Sequence, residues 1–500
     1  MPFLFLVYLL DACLLPLRTF TFNLGYHSSL LQCWVMHLKQ TVIILFFIAL
    51  ISCLLAFEAG KPFNDPNKPV SIPPSPQRSG DASKGYVYLT TGDYLKSGVP
   101  YSYYSFFTPK DRHNYLNRTG KNATVPYDFN VVQSPDKVDV VVPTCLQCHG
   151  QVFDGKLIIG LGNTFQDFSN MAKANNPISN FGANVMQTFS PKQYKAALPL
   201  FTSFDAILGD MQTEVRGVNS ADRLATLLVA HRNPQTLEWQ SKPILDIPKG
   251  VIPTDVPAWW LLKKKNAMFY NGFGRGDFGK FLMLSNILTV KDSSEAREVN
   301  SHFGDVLAYI KSIEPPKYPK QVDKDLAAEG EEVFVNNCSK CHGTYGANVY
   351  YPNLLIPASI IQTDSLLYKG NHQNPQFIAW FNNSWFAKGD YPARLEPFDG
   401  YIAPPLDGIW ITAPYLHNGS VPTLQALLDS KERPKYWKRN FDKPQYDYEK
   451  VGWTYESTDK PKRRIVYNTT LPGYSNEGHT FGDKLTEQER RAVIEYLKNL

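Results

Sequence analysis

Three stretches of the chain repeat apolar residues at helical spacing, and each is closed by clear punctuation. In "AAEGEEVFVNNCSKCHG" (Ala327 to Gly343), small and acidic positions lead to Val333 and Phe334 on one face, and the run ends in a cysteine-bearing turn. In "LTEQERRAVIEYLKNL" a capping box, Thr486 to Glu489, opens a helix whose Val493, Ile494, Leu497 and Leu500 fall at helical spacing. The second helix is expected to pack against the first. "SSEAREVNSHFGDVLAYIKSI", ending at Ile313, has a similar period and is stopped by the prolines of "EPPKYPKQ", which read as a linker. Between these helices lie long irregular segments rich in Pro, Gly, Asn and aromatic residues, and loops of that length usually carry function.

Cysteine usage gives the helices a purpose. Of seven cysteines, Cys13, Cys33 and Cys53 lie in the apolar N-terminal segment. The other four form "CLQCHG" (Cys145, Cys148, His149) and "CSKCHG" (Cys338, Cys341, His342), both C-x-x-C-H. In that pattern two thiols add to the vinyl groups of a haem and the next imidazole reaches the iron from the same face. A zinc ribbon would place its knuckles about 15–20 residues apart, whereas these are roughly 190 apart. A thioredoxin-like centre calls for neither the histidine nor the duplicate. The expected fold is therefore mainly α, two tandem c-type cytochrome domains with long irregular loops, at 60–316 and 317–500. The expected cofactors are two covalently attached haems, with calcium as a further candidate.

The N-terminus suits such a protein, because haem attachment needs export. "MHLKQ" followed by "TVIILFFIALIS" reads as a signal peptide, its apolar core shorter than the ~20 residues of a span. "LISC" has the form of a lipoprotein cleavage site, which would lipidate Cys53, although "LLAF" follows it. Residues 1–59 are accordingly assigned as leader and signal or lipoprotein segment, and the periplasm or cell envelope as the destination, with a membrane contact through this anchor. A net charge of +5 is spread along the chain and shows no nucleic-acid signature, and "KKK" (Lys263 to Lys265) reads as a solvated face.

Axial ligands follow by elimination. His149 and His342 are the proximal ligands, and no methionine follows Met283. Within its own domain the second iron is left with His372, His417 or His479. His479, in the glycine-flanked "GYSNEGHTFG" before the closing helix, suits a ligand loop, and His417 in "APYLHNGSVPTL" is its rival. For the first iron Met171, Met186, Met211, Met268, Met283, His113, His231 and His302 stay open, as does a vacant sixth position. The cluster "VPAWWLLKKKNAMFYNGFGRGDFG" supplies Trp259, Trp260, Phe269, Tyr270 and Phe273 as a distal wall or electron path, or else as core aromatics.

"GIWITAPYLHNGSVPTLQALL" (Gly408 to Leu428), the two haem motifs and the "GHTFG" to "IEYLK" ending resemble the bacterial di-haem cytochrome c peroxidase superfamily. The aromatic cluster and the histidine-bearing C-terminal loop look more like its rubber oxygenase branch. The resemblance implies one reactive haem and one that stores or relays electrons. It implies a bis-histidine second haem and an O2-binding first haem lined by apolar aromatics. It makes Trp259 or Trp260 the inter-haem tryptophan and Phe269 or Phe273 the distal phenylalanine. The expected function is a peroxidase-like or oxygenase-like oxidoreductase acting with O2 or hydrogen peroxide, and with a small redox protein or a lipid-like substrate as partner. The alternative is a di-haem electron-transfer cytochrome.

Overall fold

The computed structural model describes residues 42–43, 67–110, 113–171, 177–461 and 464–500. The expected leader and signal or lipoprotein segment, Cys53 included, lies outside the described residues apart from Val42 and Ile43. No helix among the described residues is long and apolar enough to cross a membrane.

Strand β1 (Val70–Ser71) is followed by helix α1 (Ala82–Thr91), whose N-cap Asp81 accepts hydrogen bonds from the Ser83 and Lys84 amides. Strands β2 (Phe129–Gln133) and β3 (Asp139–Pro143) pair antiparallel with Val131 opposite Val141. The chain then turns through α2 (Leu146–His149) into a hairpin, β4 (Gly150–Phe153) and β5 (Lys156–Ile159). Its two-residue turn, Asp154–Gly155, has positive φ at both positions (47° and 74°), which Asp-Gly accommodates and most other pairs do not. Helix α3 (Ala221–Ala230), strand β6 (Gly274–Gly276) and helix α4 (Phe303–Ser312) follow among the elements of the first half. The second half contributes α5 (Lys324–Asn337), the turn α6 (Ser339–His342), β7 (Leu354–Pro357), β8 (Ala393–Leu395), β9 (Gly400–Ile402) and the closing helix α7 (Glu487–Leu497).

Helix α7 opens with the capping box read from the sequence, Thr486 and Glu489 bonding reciprocally, and buries Val493, Ile494 and Leu497. It crosses α5 at Gly330, where a Cβ would stand 1.9 Å from the Ala492 carbonyl oxygen. Only a residue without a side chain permits that approach. Phe334, one turn along α5, is 1% exposed in the same interface.

The mainly α, tandem-domain expectation is corrected in two respects. Helix accounts for 40% and strand for 14% of the structure, the strands in several small sheets. The segment Pro66–Leu500 is one compact unit, with no evidence of tandem cytochrome domains. Long-range pairing is the reason. β1 and β9 flank β7 in a three-stranded sheet, and β6 pairs with β8, so strands from the first half complete sheets of the second. The cores interleave likewise: one holds Leu89, Phe303 and Ile310 together with Phe381 and Phe386, and another holds Phe153 and Trp260 together with Trp410 and Val493. Helical periodicity reported Lys324–Asn337 and Glu487–Leu497, and read as one run the two helices Ser293–Ser301 and Phe303–Ser312, but it carried no information on strands of two to four residues, whose partners lie far away in the chain.

Candidate functional site

Each C-x-x-C-H segment is a single helical turn. The His149 amide donates to the Cys145 carbonyl at 3.0 Å, and the His342 amide to the Cys338 carbonyl at 3.1 Å. Residues i, i+3 and i+4 therefore share a face, which brings both thiols and the imidazole of each motif together. Among the described residues all four cysteines are free. Burial pushes the Cys145 thiol up to about 12 and Cys338 up to about 11. Burial also holds the imidazoles neutral: His149 is lowered to about 3, and His342 is lowered despite its hydrogen bond. A neutral imidazole is the form that binds a metal.

The two turns differ in what surrounds the histidine. His342 Nδ1 donates to the Pro404 carbonyl at 2.8 Å, which fixes the tautomer and leaves Nε2 for an iron. Its ring centroid lies 6.1 Å from that of His479. Two imidazoles on opposite sides of one iron, with bonds of about 2 Å each, need about 6 Å between ring centres. His479 stands at φ 45° in its loop, with burial lowering its imidazole to about 3. The loop is clamped by Arg433, which donates to the carbonyls of Asn476 (2.6 Å), Gly478 (2.7 Å) and His479 (3.1 Å). It also donates to Ala426 and Leu427, so all its donor atoms serve backbone oxygens. His417 is placed elsewhere: it stacks on Tyr401 at 4.2 Å with Nε2 3.1 Å from the Tyr401 hydroxyl. His372 lies 3.2 Å from Asp399 on the surface.

His149 meets no second imidazole among the described residues. Its ring stacks on Trp259 at 4.5 Å and 19°, and its Nδ1 and the Trp259 Nε1 are buried without hydrogen-bond partners. Asn219 Nδ2 donates to Cys148 Sγ at 3.3 Å. Trp260 is fully buried in the other core and donates from Nε1 to the Asp407 carbonyl at 2.8 Å, three residues beyond the carbonyl that holds His342. The tryptophans therefore have different tasks: one is against His149, and the next reaches the segment beside His342. Phe273 is 5% exposed and stacks on Phe377, whereas Phe269, at φ 67°, is 40% exposed and meets Phe281 edge-on.

These side chains fit covalently held haem: two thiols and a neutral imidazole on one face at each turn, an opposed imidazole at one of them, and orphaned ring nitrogens at both. Among the described residues no group of three or more His, Cys, Asp or Glu is placed to hold a metal ion, and the calcium candidate is given no site.

Sequence reasoning had no signal for Arg433, Asn219 or Asp255, whose carboxylate lies 2.7 Å from the hydroxyl of Tyr270, a member of the aromatic cluster, with burial pushing Asp255 up to about 7. The lysine run also divides. Lys263 and Lys264 pair with Glu314 and Asp407, both at 2.7 Å, but Lys265 is 7% exposed and reaches only the Phe269 carbonyl, at 3.3 Å. Burial lowers its ammonium from 10.5 to about 8. A base with a lowered folded-state value binds fewer protons folded than unfolded between about 8 and 10.5, so stability rises with pH across that window and the penalty is complete below it. Lys265→Met is expected to stabilise the protein at pH 7 by as much as about 3 kcal/mol, with the gain shrinking towards pH 10.5. Urea unfolding at the two pH values checks this; equal stabilities at pH 7 would show that the ammonium reaches water.

Residues 400–438 match the family described as RoxA-like, cytochrome c-like. The match spans the Pro404 carbonyl, His417 and Arg433. It suggests covalently bound haem and a haem-related oxidoreductase role, and weakly supports relation to the rubber oxygenase branch. Kinship with the wider di-haem peroxidase superfamily is not confirmed. The chain is 26% identical over 272 residues, 50% of its length, to uncharacterized protein y4iM of Sinorhizobium fredii. It is 46% identical over 253 residues, 38% of its length, to uncharacterized protein y4iJ of the same organism. It spans 62% and 41% of the lengths of these curated relatives.

Proposed function

We propose that the chain is an exported di-haem c-type oxidoreductase of the periplasm or cell envelope, in which the site of His149 activates O2 or peroxide and the site of His342 relays electrons. The observation that carries this reading is the asymmetry between the two turns: His342 is opposed by His479, while His149 is opposed by no described imidazole. Haem iron, when bound, supplies one-electron chemistry and, at an open position, binds O2 or peroxide.

The protein's own residues set the division of labour. His342 and His479 would together hold a haem iron at the second site and leave no room for a small ligand there. His149, Trp259, Trp260 and the Asp407–Pro404 segment form a short contiguous route between the two sites. Three charged side chains that could help break a peroxide bond are engaged elsewhere: Asp277 is paired with Arg78 at 2.5 Å, Arg275 with the Gly272 carbonyl and Glu396, and Glu238 accepts from Thr236. An apolar distal wall leans the chemistry towards O2 or slow peroxidation, and towards a lipid-like substrate. Export is supported by the two C-x-x-C-H motifs, whose haem attachment needs export, and by the signal-like "TVIILFFIALIS".

The test is a pyridine haemochrome assay on denatured mature protein, expected to give two haems per chain, with optical spectra before and after CO, O2 and peroxide. One site should respond and the other should stay low-spin. One haem or none would refute the reading, and two inert low-spin haems would make the protein an electron carrier.

A further inference from the structure

A cavity of about 500 Å3, within the 300–1,000 Å3 range of small-molecule and cofactor sites, opens at the start of helix α3 and is lined by none of the residues of the first attachment turn. Its wall includes Asp222, Arg223 and Thr226 from the first turns of α3, with Lys249, Ile252 and Phe377. The position is tied to the site already described. Asn219, which donates to Cys148 Sγ, is three residues before Asp222 and exchanges backbone hydrogen bonds with Thr254, two residues after Ile252. Phe377 stacks on Phe273.

Arg223 is 5% exposed, yet it makes no hydrogen bond or ion pair among the described residues. Asp222 and Asp210 act on its charge only from a longer range. Its guanidinium faces the cavity with no protein acceptor, so its fork of donors is free for a ligand and matches a carboxylate. Arg223 also sits in the first turn of the ten-residue helix α3, whose amino end favours an anion.

We infer that this cavity binds a carboxylate through Arg223, supplied either by a propionate of the haem on Cys145 and Cys148 or by a free organic acid. The propionate source rests on the proposed function above; the free-acid source does not. The haemochrome assay is therefore run first on every preparation, so that absence of haem is recorded separately from absence of a carboxylate site.

The experiment compares the parent holoprotein with Arg223→Gln and Arg223→Lys, all matched for melting temperature. Octanoate is titrated by calorimetry, with octanol as the neutral control, and the midpoint potentials of both haems are measured. A free-acid site predicts octanoate binding to the parent, weakened at least tenfold in Arg223→Gln and less in Arg223→Lys, with octanol indifferent to either change. A propionate site predicts no octanoate binding and a lower midpoint potential in Arg223→Gln for the first haem alone, because the uncompensated carboxylate favours ferric iron. Arg223→Lys keeps the charge and decides the matter if Arg223→Gln does not fold. Unchanged potentials together with no octanoate binding, or binding indifferent to Arg223, would overturn the inference.

Discussion

His479→Ala is expected to convert one low-spin haem signal to high-spin and leave the other unchanged. His342 and His479 have ring centres 6.1 Å apart, and both imidazoles are kept neutral by burial. Removing one leaves an iron with a single protein ligand, and no other histidine stands ready. His417 is held against Tyr401, and His372 faces Asp399. The effect should reach CO binding as well, because the newly open position admits it. Arg433→Lys tests the same geometry indirectly. A lysine cannot replace five planar donors, so the loop of His479 should loosen and give a mixture of spin states. Optical and EPR spectra check both variants. An unchanged spectrum in His479→Ala would move the ligand to His417.

Trp260→Ala should be among the most damaging single substitutions, costing about 3–5 kcal/mol. The indole is fully buried and belongs to the core that also contains Phe153, Trp410 and Val493. Its removal leaves a cavity between parts of the chain more than a hundred residues apart, and it leaves the Asp407 carbonyl without its donor. Trp260→Phe keeps most of the packing and loses chiefly the hydrogen bond, a cost of about 1 kcal/mol. Trp260→Phe therefore separates structure from electron transfer. If the route from Trp259 to the His342 segment is used, this variant should fold, retain both haems and equilibrate electrons between them more slowly after flash reduction. Chemical denaturation measures the first effect. A loss under about 1 kcal/mol for alanine would mean that the two halves are joined elsewhere.

The C-x-x-C-H turns and the capped closing helix were legible in the residues because each is made by contacts within four positions. Cys145 and His149, Cys338 and His342, and Thr486 and Glu489 meet through one turn of backbone, whatever surrounds them. The helix broken at His302 was read as one period for the same reason, since Ser293–Ser301 and Phe303–Ser312 keep a common apolar face. His479 was preferred as a ligand by elimination and from its loop position, and its ring lies 6.1 Å from that of His342. The Trp259–Trp260 pair illustrates the limit. Adjacent residues of one type cannot be told apart by sequence, yet one is stacked on His149 and the other is buried in the second core.

By itself the sequence determined the chemistry on offer: thiols and imidazoles at fixed spacing, helices to deliver them, and an aromatic segment. Only the tertiary structure decided which imidazole lies near His342, that both halves of the chain are interleaved into one compact body, and that Lys265 and Arg223 are buried while the other two lysines of the run are ion-paired. The physical reason is range. Turns and caps are settled by hydrogen bonds between near neighbours, whereas sheets such as β1–β7–β9 and the burial of a charge depend on segments that the chain brings together from hundreds of residues away.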